Sequence, residues 1–387
     1  MNSSPLWLLL VLFVAIAAGF FLGRLENRRR RRVRRTGGLN YSFGDQPDHA
    51  IDALFSHRND RDASDPDTVD THLAMGRLFR KRGELDRATR IHQRMLDNGA
   101  LPENVREDVE LELARDFLAA GLLDRAEHVL LHMVDVGSQH SPLAMRHLMS
   151  LYEQERDWHS ALAVGERLLP RDSTVAPILA QYCCELADSL RGNDETNPRR
   201  RLLRRALMFD PGNARASMLK GRLELAAGNH GSALRAFRRL RGQPEYFELV
   251  LDDTQACLEA LGREGEMLDL LLDASLDHPS GAVLSRLIQQ LKERGGQEEA
   301  SRFLGQYLQR YPSLHGLSEM IALQQTQDPA GEGANQPLDI LRALSARLGS
   351  DIPRYQCTQC GYKARKLHWQ CPGCKSWSTL RTPPDPT

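Results

Sequence analysis

The sequence predicts an all-α chain. An array of short paired helices runs from an apolar N-terminal segment to a small unit built on four cysteines. Three observations predict it. Leu, Ala, Arg and Glu dominate the composition while aromatics reach only 6%, which favours helix. No run of alternating Val, Ile and Thr marks a sheet. A helix–turn–helix phrase also recurs at a spacing of 35–38 residues, between Ala50, Ala88, Ala126 and Ala161, which is the mark of a repeat architecture.

The chain opens on LWLLLVLFVAIAAGFFL, residues 6–22, with no charge. Seventeen helical residues extend about 25 Å, enough to span a bilayer core with modest mismatch. Residues 1–23 are therefore expected to form a transmembrane anchor, with Trp7 near one interface. A cleaved signal peptide carries positive charge before its apolar core. Here the charge follows it: Arg24, Arg28 to Arg32, Arg34 and Arg35 form a basic juxtamembrane collar over residues 24–35. By the positive-inside rule the rest of the chain faces the cytoplasm. The collar suits anionic lipid, and a specific partner is the alternative.

The formal net charge is zero, from 51 basic and 51 acidic residues. The collar holds eight Arg and one Glu, so the remainder sums to −7. Such a body lacks the basic balance of a nucleic-acid binder.

The repeat is clearest in LAMGRLFRKRGELDRATRIHQRML, residues 73–96. Gly76 is the small residue of the first helix, Phe79 the large one three positions on, Gly83 the turn, and Ala88 the small residue of the second helix. Small residues let two helices approach, and the large one fills the space beside them. This resembles the tetratricopeptide repeat. The second-helix alanines recur at Ala50, Ala88, Ala126, Ala161, Ala233 and Ala300. First-helix pairs recur as Gly38 with Tyr41, Ala114 with Phe117, Met149 with Tyr152, and Gly221 with Glu224. About eight units are expected over residues 31–325. Two are irregular, with Arg199 and Asp269 where the pattern asks for Ala. Units of this kind stack into a superhelix with a concave groove, a form suited to holding peptides or partner domains. Residues 326–353 follow as a polar linker, TQDPAGEGANQ, and an amphipathic helix from Pro337 to Gly349.

The C-terminal segment, residues 354–387, carries YQCTQCGY and WQCPGCKSW. Cys357, Cys360, Cys371 and Cys374 form two C-x2-C pairs separated by ten residues. In a large, disulfide-poor chain this reads as a metal site. Four thiolates close a tetrahedron around one Zn or Fe ion and leave no open position for substrate. Gly361 follows the first pair where a left-handed backbone is commonly needed. The pattern resembles a rubredoxin or zinc-ribbon knuckle pair. The short gap, and Lys375 where the second knuckle usually has Gly, weigh against electron transfer.

Other constellations read as ordinary structure. His128 and His132 lie four apart but lack the Glu of HExxH, so a surface pair is expected. His368 neighbours a shell that four cysteines already complete. Cys183 and Cys184 read as core. RRRLLRR, residues 199–205, reads as a solvated face, with an acidic partner as the alternative. No nucleotide-binding or nucleophile motif occurs, so no catalytic residue is assigned.

The order of parts, with GDQPDHAIDALF, GRLFRKRGELDRATRIHQ, AAGLLDRAEHVL and YQCTQCGY, resembles the lipopolysaccharide assembly protein B family of Gram-negative bacteria over essentially the full chain. The resemblance implies a non-enzymatic inner-membrane regulator of lipopolysaccharide synthesis. It would work with the membrane protease FtsH on the deacetylase that commits sugar nucleotide to lipid A, and gather other lipopolysaccharide assembly proteins. It also implies Cys357, Cys360, Cys371 and Cys374 as metal ligands. A rubredoxin-like electron carrier and a general membrane-tethered scaffold are the alternatives.

Overall fold

Gly76 and Gly83 show how the sequence writes a helix pair. In the computed structural model, a Cβ at Gly76 would collide with the His92 imidazole, so only glycine lets the two helices approach there. Gly83 turns the chain at φ +80°, a conformation costly for other residues.

The structure describes residues 66–97, 101–190, 196–275, 280–327, 343–344 and 354–382. The expected anchor, collar and first repeat lie outside these residues, as does nearly all of the expected helix at 337–349. Among the described residues no helix is long and apolar enough to cross a membrane. The chain divides into two compact units, Met1–Arg156 and Asp157–Thr387.

The first unit contains α1 (Pro66–Lys81), α2 (Leu85–Asp97), α3 (Glu103–Ala119), α4 (Leu123–Val136) and α5 (Ser141–Glu155). Val69, Leu73, Phe79, Ala88, Ile91, Met95 and Val109 pack as one cluster. A buried polar network joins the first three helices. His92 Nδ1 lies 2.5 Å from Asp116 Oδ2, and Arg80 donates to Asp116 Oδ1 at 2.6 Å and to Glu112 Oε2 at 2.5 Å. Burial acts to raise the Glu112 pKa, but the Arg80 hydrogen bond and the neighbouring guanidiniums outweigh it and hold the carboxyl below its ordinary value. Such a network fixes which helix faces meet, because a stranded partner would be an uncompensated buried charge.

The second unit contains α6 (Trp158–Leu168), α7 (Ala176–Ser189), α8 (Thr196–Phe209), α9 (Ala214–Ala226), α10 (His230–Phe237), α11 (Leu251–Ala260), α12 (Glu266–Ala274), α13 (Gly281–Arg310) and α14 (Leu314–Gln327). A single turn, Pro244–Phe247, precedes α11. Polar side chains cap three of the helices: Asp157 accepts from Ser160 N, Asn213 from Ala216 N and Ser280 from Val283 N. Gly296, at φ 76°, breaks α13 into two helices, the second of which carries Ala300. The expected linker at 326–336 begins two residues inside α14.

Among the described residues the alanine register holds: Ala88, Ala126, Ala161, Ala233 and Ala300 have no exposed surface, while Ala50 lies outside them. The two irregular units form helix pairs with a different inner face. α8 buries Leu203 and Ala206, with Arg199 only half-buried. α12 buries Met267, Leu270, Leu271 and Ala274, and Asp269 faces solvent. Each helix thus buries other apolar positions and leaves the charged residue at or near the surface.

Candidate metal centre

Residues 355–382 fold around two turns and a three-stranded antiparallel sheet of order β2-β1-β3, with β1 Tyr355–Cys357, β2 Lys363–Ala364 and β3 Leu380–Arg381. The two turns repeat one hydrogen-bond scheme. In the first, Cys357 N donates to Tyr362 O and Gly361 N to Cys357 O. In the second, Cys371 N donates to Ser376 O and Lys375 N to Cys371 O. Gly361 sits at φ +75° and Lys375 at φ 60°. Lys375 therefore occupies the left-handed position that glycine fills in the first turn. The lysine costs about 1 kcal/mol of backbone strain, but the turn closes in the same way.

The four sulfurs lie within 4.8 Å of one another. Cys357 Sγ is 3.7 Å from Cys374 Sγ, and Cys360 Sγ is 3.7 Å from Cys371 Sγ. A disulfide needs about 2.05 Å, so these are separate thiols. Tetrahedral thiolates at about 2.3 Å from a metal stand about 3.8 Å apart along each edge. The observed pairs fit one such ion, and the donor set suits zinc or iron alike. Cys357 Sγ and Thr379 Oγ1 share a hydrogen bond at 3.3 Å. This bond leads the influences that hold the Cys357 thiol down at about 6, so it favours the thiolate that a metal requires. Cys357 and Cys371 are buried, Cys374 is half-buried and Cys360 is exposed.

The ribbon is seated on the helices of its own unit. The Trp377 ring meets Trp158 at 6.0 Å and Tyr182 at 6.2 Å, both edge-on. Trp369 stacks on Tyr246 at 5.4 Å, with the Arg215 guanidinium 5.9 Å from the Trp369 ring. Each aromatic pair contributes about 0.5–1.5 kcal/mol beyond its buried area. Polar contacts fix the register. Gln181 Nε2 donates to Ser378 Oγ at 2.9 Å, Tyr246 OH to Leu380 O at 3.3 Å, and Tyr355 OH to Glu248 Oε1 at 3.1 Å. Arg354 pairs with Glu248, and Arg381 with Glu245. Burial, then the Glu248 charge, pushes the Tyr355 phenol up to about 12, keeping it neutral and donating.

Sequence reasoning identified the four cysteines from their spacing. It missed the receiving surface: Trp158, Gln181, Tyr182, Arg215, Tyr246 and Glu248. Of these, Arg215 carried one readable signal, a charge in a stretch otherwise suited to the core. It is 5% exposed and held by Glu185 and Asp188.

The remaining candidates fall outside the centre. His368 is exposed and does not join the four sulfurs. His128 and His132 are exposed, and His132 lies 3.7 Å from Glu110. Within 199–205, Arg200 forms a forked pair with Glu224 and Arg205 pairs with Glu166, so two of its charges tie neighbouring helices together. Cys183 and Cys184 are fully buried, and burial pushes the Cys183 thiol up to about 12. A thiol so buried and so weakly acidic is inert. Iodoacetamide at pH 8.5 is expected to leave both unlabelled in the native chain and to label both after unfolding. Mass spectrometry of the digest reads this directly, and native labelling at either position would contradict the packing of α7.

Paired helices with a docked, four-thiol ribbon define a tetratricopeptide-type repeat protein carrying a rubredoxin-type metal-binding domain. Residues 355–382 match the family model described as "Rubredoxin metal binding domain". Lipopolysaccharide assembly protein B of Escherichia coli K12 is 31% identical over 384 residues, covering 97% of each chain. The protein of that name from Haemophilus influenzae is 28% identical over 395 residues, again covering 97% of each. Among solved structures, a tetratricopeptide repeat protein from Parabacteroides merdae aligns over 72% of this chain and 98% of its own, with 12% identity and a TM-score of 0.33. The chain belongs to the lipopolysaccharide assembly protein B family.

Proposed function

We propose that this chain is a non-enzymatic adaptor at the inner membrane that regulates lipopolysaccharide synthesis. It promotes FtsH-dependent degradation of the lipid A pathway deacetylase and gathers lipopolysaccharide assembly proteins on its helical repeats. The observation that carries this reading is the end-to-end match to relatives named for lipopolysaccharide assembly, 97% of each chain. The apolar segment at 6–22 and the Arg collar behind it support a single-pass anchor with the bulk of the chain on the cytoplasmic side.

Cys357, Cys360, Cys371 and Cys374 hold one metal ion, zinc by this reading. Bound there, the metal supplies a cross-link between the two turns rather than a reaction site, since four thiolates fill its shell. Tyr355, Trp369, Trp377 and Arg381 then hold the ribbon on the array, where the two present one continuous surface to a client.

The test is made in cells carrying the chain as their sole copy, with a reporter fused after Thr387. The reporter is expected to be active only in the cytoplasm. Depletion is expected to lengthen the deacetylase half-life severalfold after translation is stopped, and to raise lipopolysaccharide. An unchanged half-life would remove the proteolytic role, and a periplasmic reporter would remove the partners with it.

A further inference from the structure

The C-terminal end of α10 carries a feature that the metal centre and the repeat packing do not use. α10 passes into a short 3-10 turn, Arg238–Leu240. Arg235, Arg238 and Arg239 fall at i, i+3 and i+4, so they share a face, and Arg241 follows. With Gly242 these four arginines line a shallow hollow open to solvent.

Two of the four forks are engaged by carboxylates of the chain. Arg238 pairs with Glu266, and Arg241 with Asp273 at 3.1 Å. Glu266 is shared with Arg263 at 2.5 Å. The other two rest on neutral oxygens. Arg235 donates one N–H to Ser232 Oγ at 2.8 Å, and Arg239 one to Pro211 O at 2.6 Å. Among the described residues neither faces a carboxylate. Arg238 Nε is also buried without a hydrogen-bond partner. With Arg263 counted beside the four, five positive charges face Glu266 and Asp273, a local excess of three. A guanidinium carries five N–H donors, so the two unpaired forks retain most of theirs.

We propose that this hollow binds a phosphorylated anion of the diphosphate class. One carboxylate offers two oxygens, enough for one fork. Bridging Arg235 and Arg239 together requires an anion with more oxygens, spread over two centres. A diphosphate has that shape and matches the excess charge, and arginine forks suit phosphate oxygens well. The hollow opens to solvent, which leaves room for the group that bears the diphosphate. That group belongs either to a soluble metabolite or to a lipid headgroup.

The test uses the full chain in detergent micelles, titrated with inorganic pyrophosphate by calorimetry, with succinate as a dicarboxylate comparison. The expected result is one pyrophosphate site per chain, with succinate at least tenfold weaker. Arg235→Gln with Arg239→Gln should weaken pyrophosphate at least tenfold while leaving the thermal melt unchanged, since neither change strands a charge. If the double variant fails to fold, Arg235→Gln alone decides, with a weakening of at least threefold expected. Micelles doped with a polyprenyl diphosphate, a lipid with the proposed headgroup, then identify the source. Displacement of pyrophosphate assigns the site to lipid headgroups, and its absence to a soluble ligand. The proposal is overturned if the native chain does not bind pyrophosphate, if the variants bind it equally, or if succinate binds as well.

Discussion

A chain carrying Cys357→Ser and Cys360→Ser is expected to lose its metal and its folded ribbon while keeping a helical array. The ribbon's buried cluster is Tyr355, Cys357, Ala364, Cys371 and Leu380, and two of these five are sulfur ligands. Strands of three, two and two residues cannot hold such a segment without further cross-linking. Metal coordination at sites of this kind is worth about 10–16 kcal/mol, so removing two ligands removes the main term. The helices keep their own core, which runs through Phe237, Phe247, Leu271 and Leu287. Elemental analysis should show one metal per native chain and none in the variant, with far-ultraviolet helicity preserved. Tryptophan emission should shift to the red as Trp369 and Trp377 leave Tyr246 and Tyr182. In depleted cells the variant should fail to restore deacetylase turnover. Full restoration by a metal-free chain would show that the ribbon has no part in the function.

The second large effect is expected at Gly221. A Cβ there would overlap the Phe237 ring, which is fully buried in the second unit. Overpacking of this kind costs about 1–3 kcal/mol, while a mid-helix Gly→Ala change otherwise gains up to about 1 kcal/mol. Gly221→Ala should therefore lower the melting temperature of the second unit. Gly231→Ala, on the neighbouring helix with open space around it, should leave it equal or raise it. Pairing Gly221→Ala with Phe237→Leu should cost less than the sum of the separate changes, because the smaller side chain relieves the overlap. Strict additivity would mean that the two residues do not meet.

These two sites also mark what the sequence could disclose. Gly221, Gly76 and the buried alanines are legible because their cause is local. A helix pair needs small residues at fixed spacing, and the spacing repeats down the chain. The four cysteines are legible because a metal shell imposes residue type and spacing together. Lys375 was read as a departure, yet its backbone takes the left-handed form of Gly361, so the turn survives the substitution. The surface that receives the ribbon could not be read. Gln181 and Ser378 are 197 positions apart, and nothing in the local pattern of α7 sets Gln181 or Tyr182 aside for a distant partner. The His92–Asp116–Arg80 network was equally hidden, since each residue alone looks like part of a charged helix face. Arg199 and Asp269 mark positions that stay at or near the surface while neighbouring apolar residues are buried.

The seating of the ribbon also has a consequence for the order of events during synthesis. In a repeat array each unit leans on its neighbours, so α6 to α12 can form as they leave the ribosome. Their partners on the ribbon arrive last. At about 5–20 residues per second, the 197 residues from Gln181 to Ser378 occupy about 10–40 seconds of translation. Through that interval Trp158 and Tyr182 stand without their cover, and Tyr246 joins them once it is made. Only a chain translated through Cys374 can complete the metal shell and close over them. A metal held by the four thiols would close that cover last, and a chain cut short of the ribbon would keep the aromatic face bare.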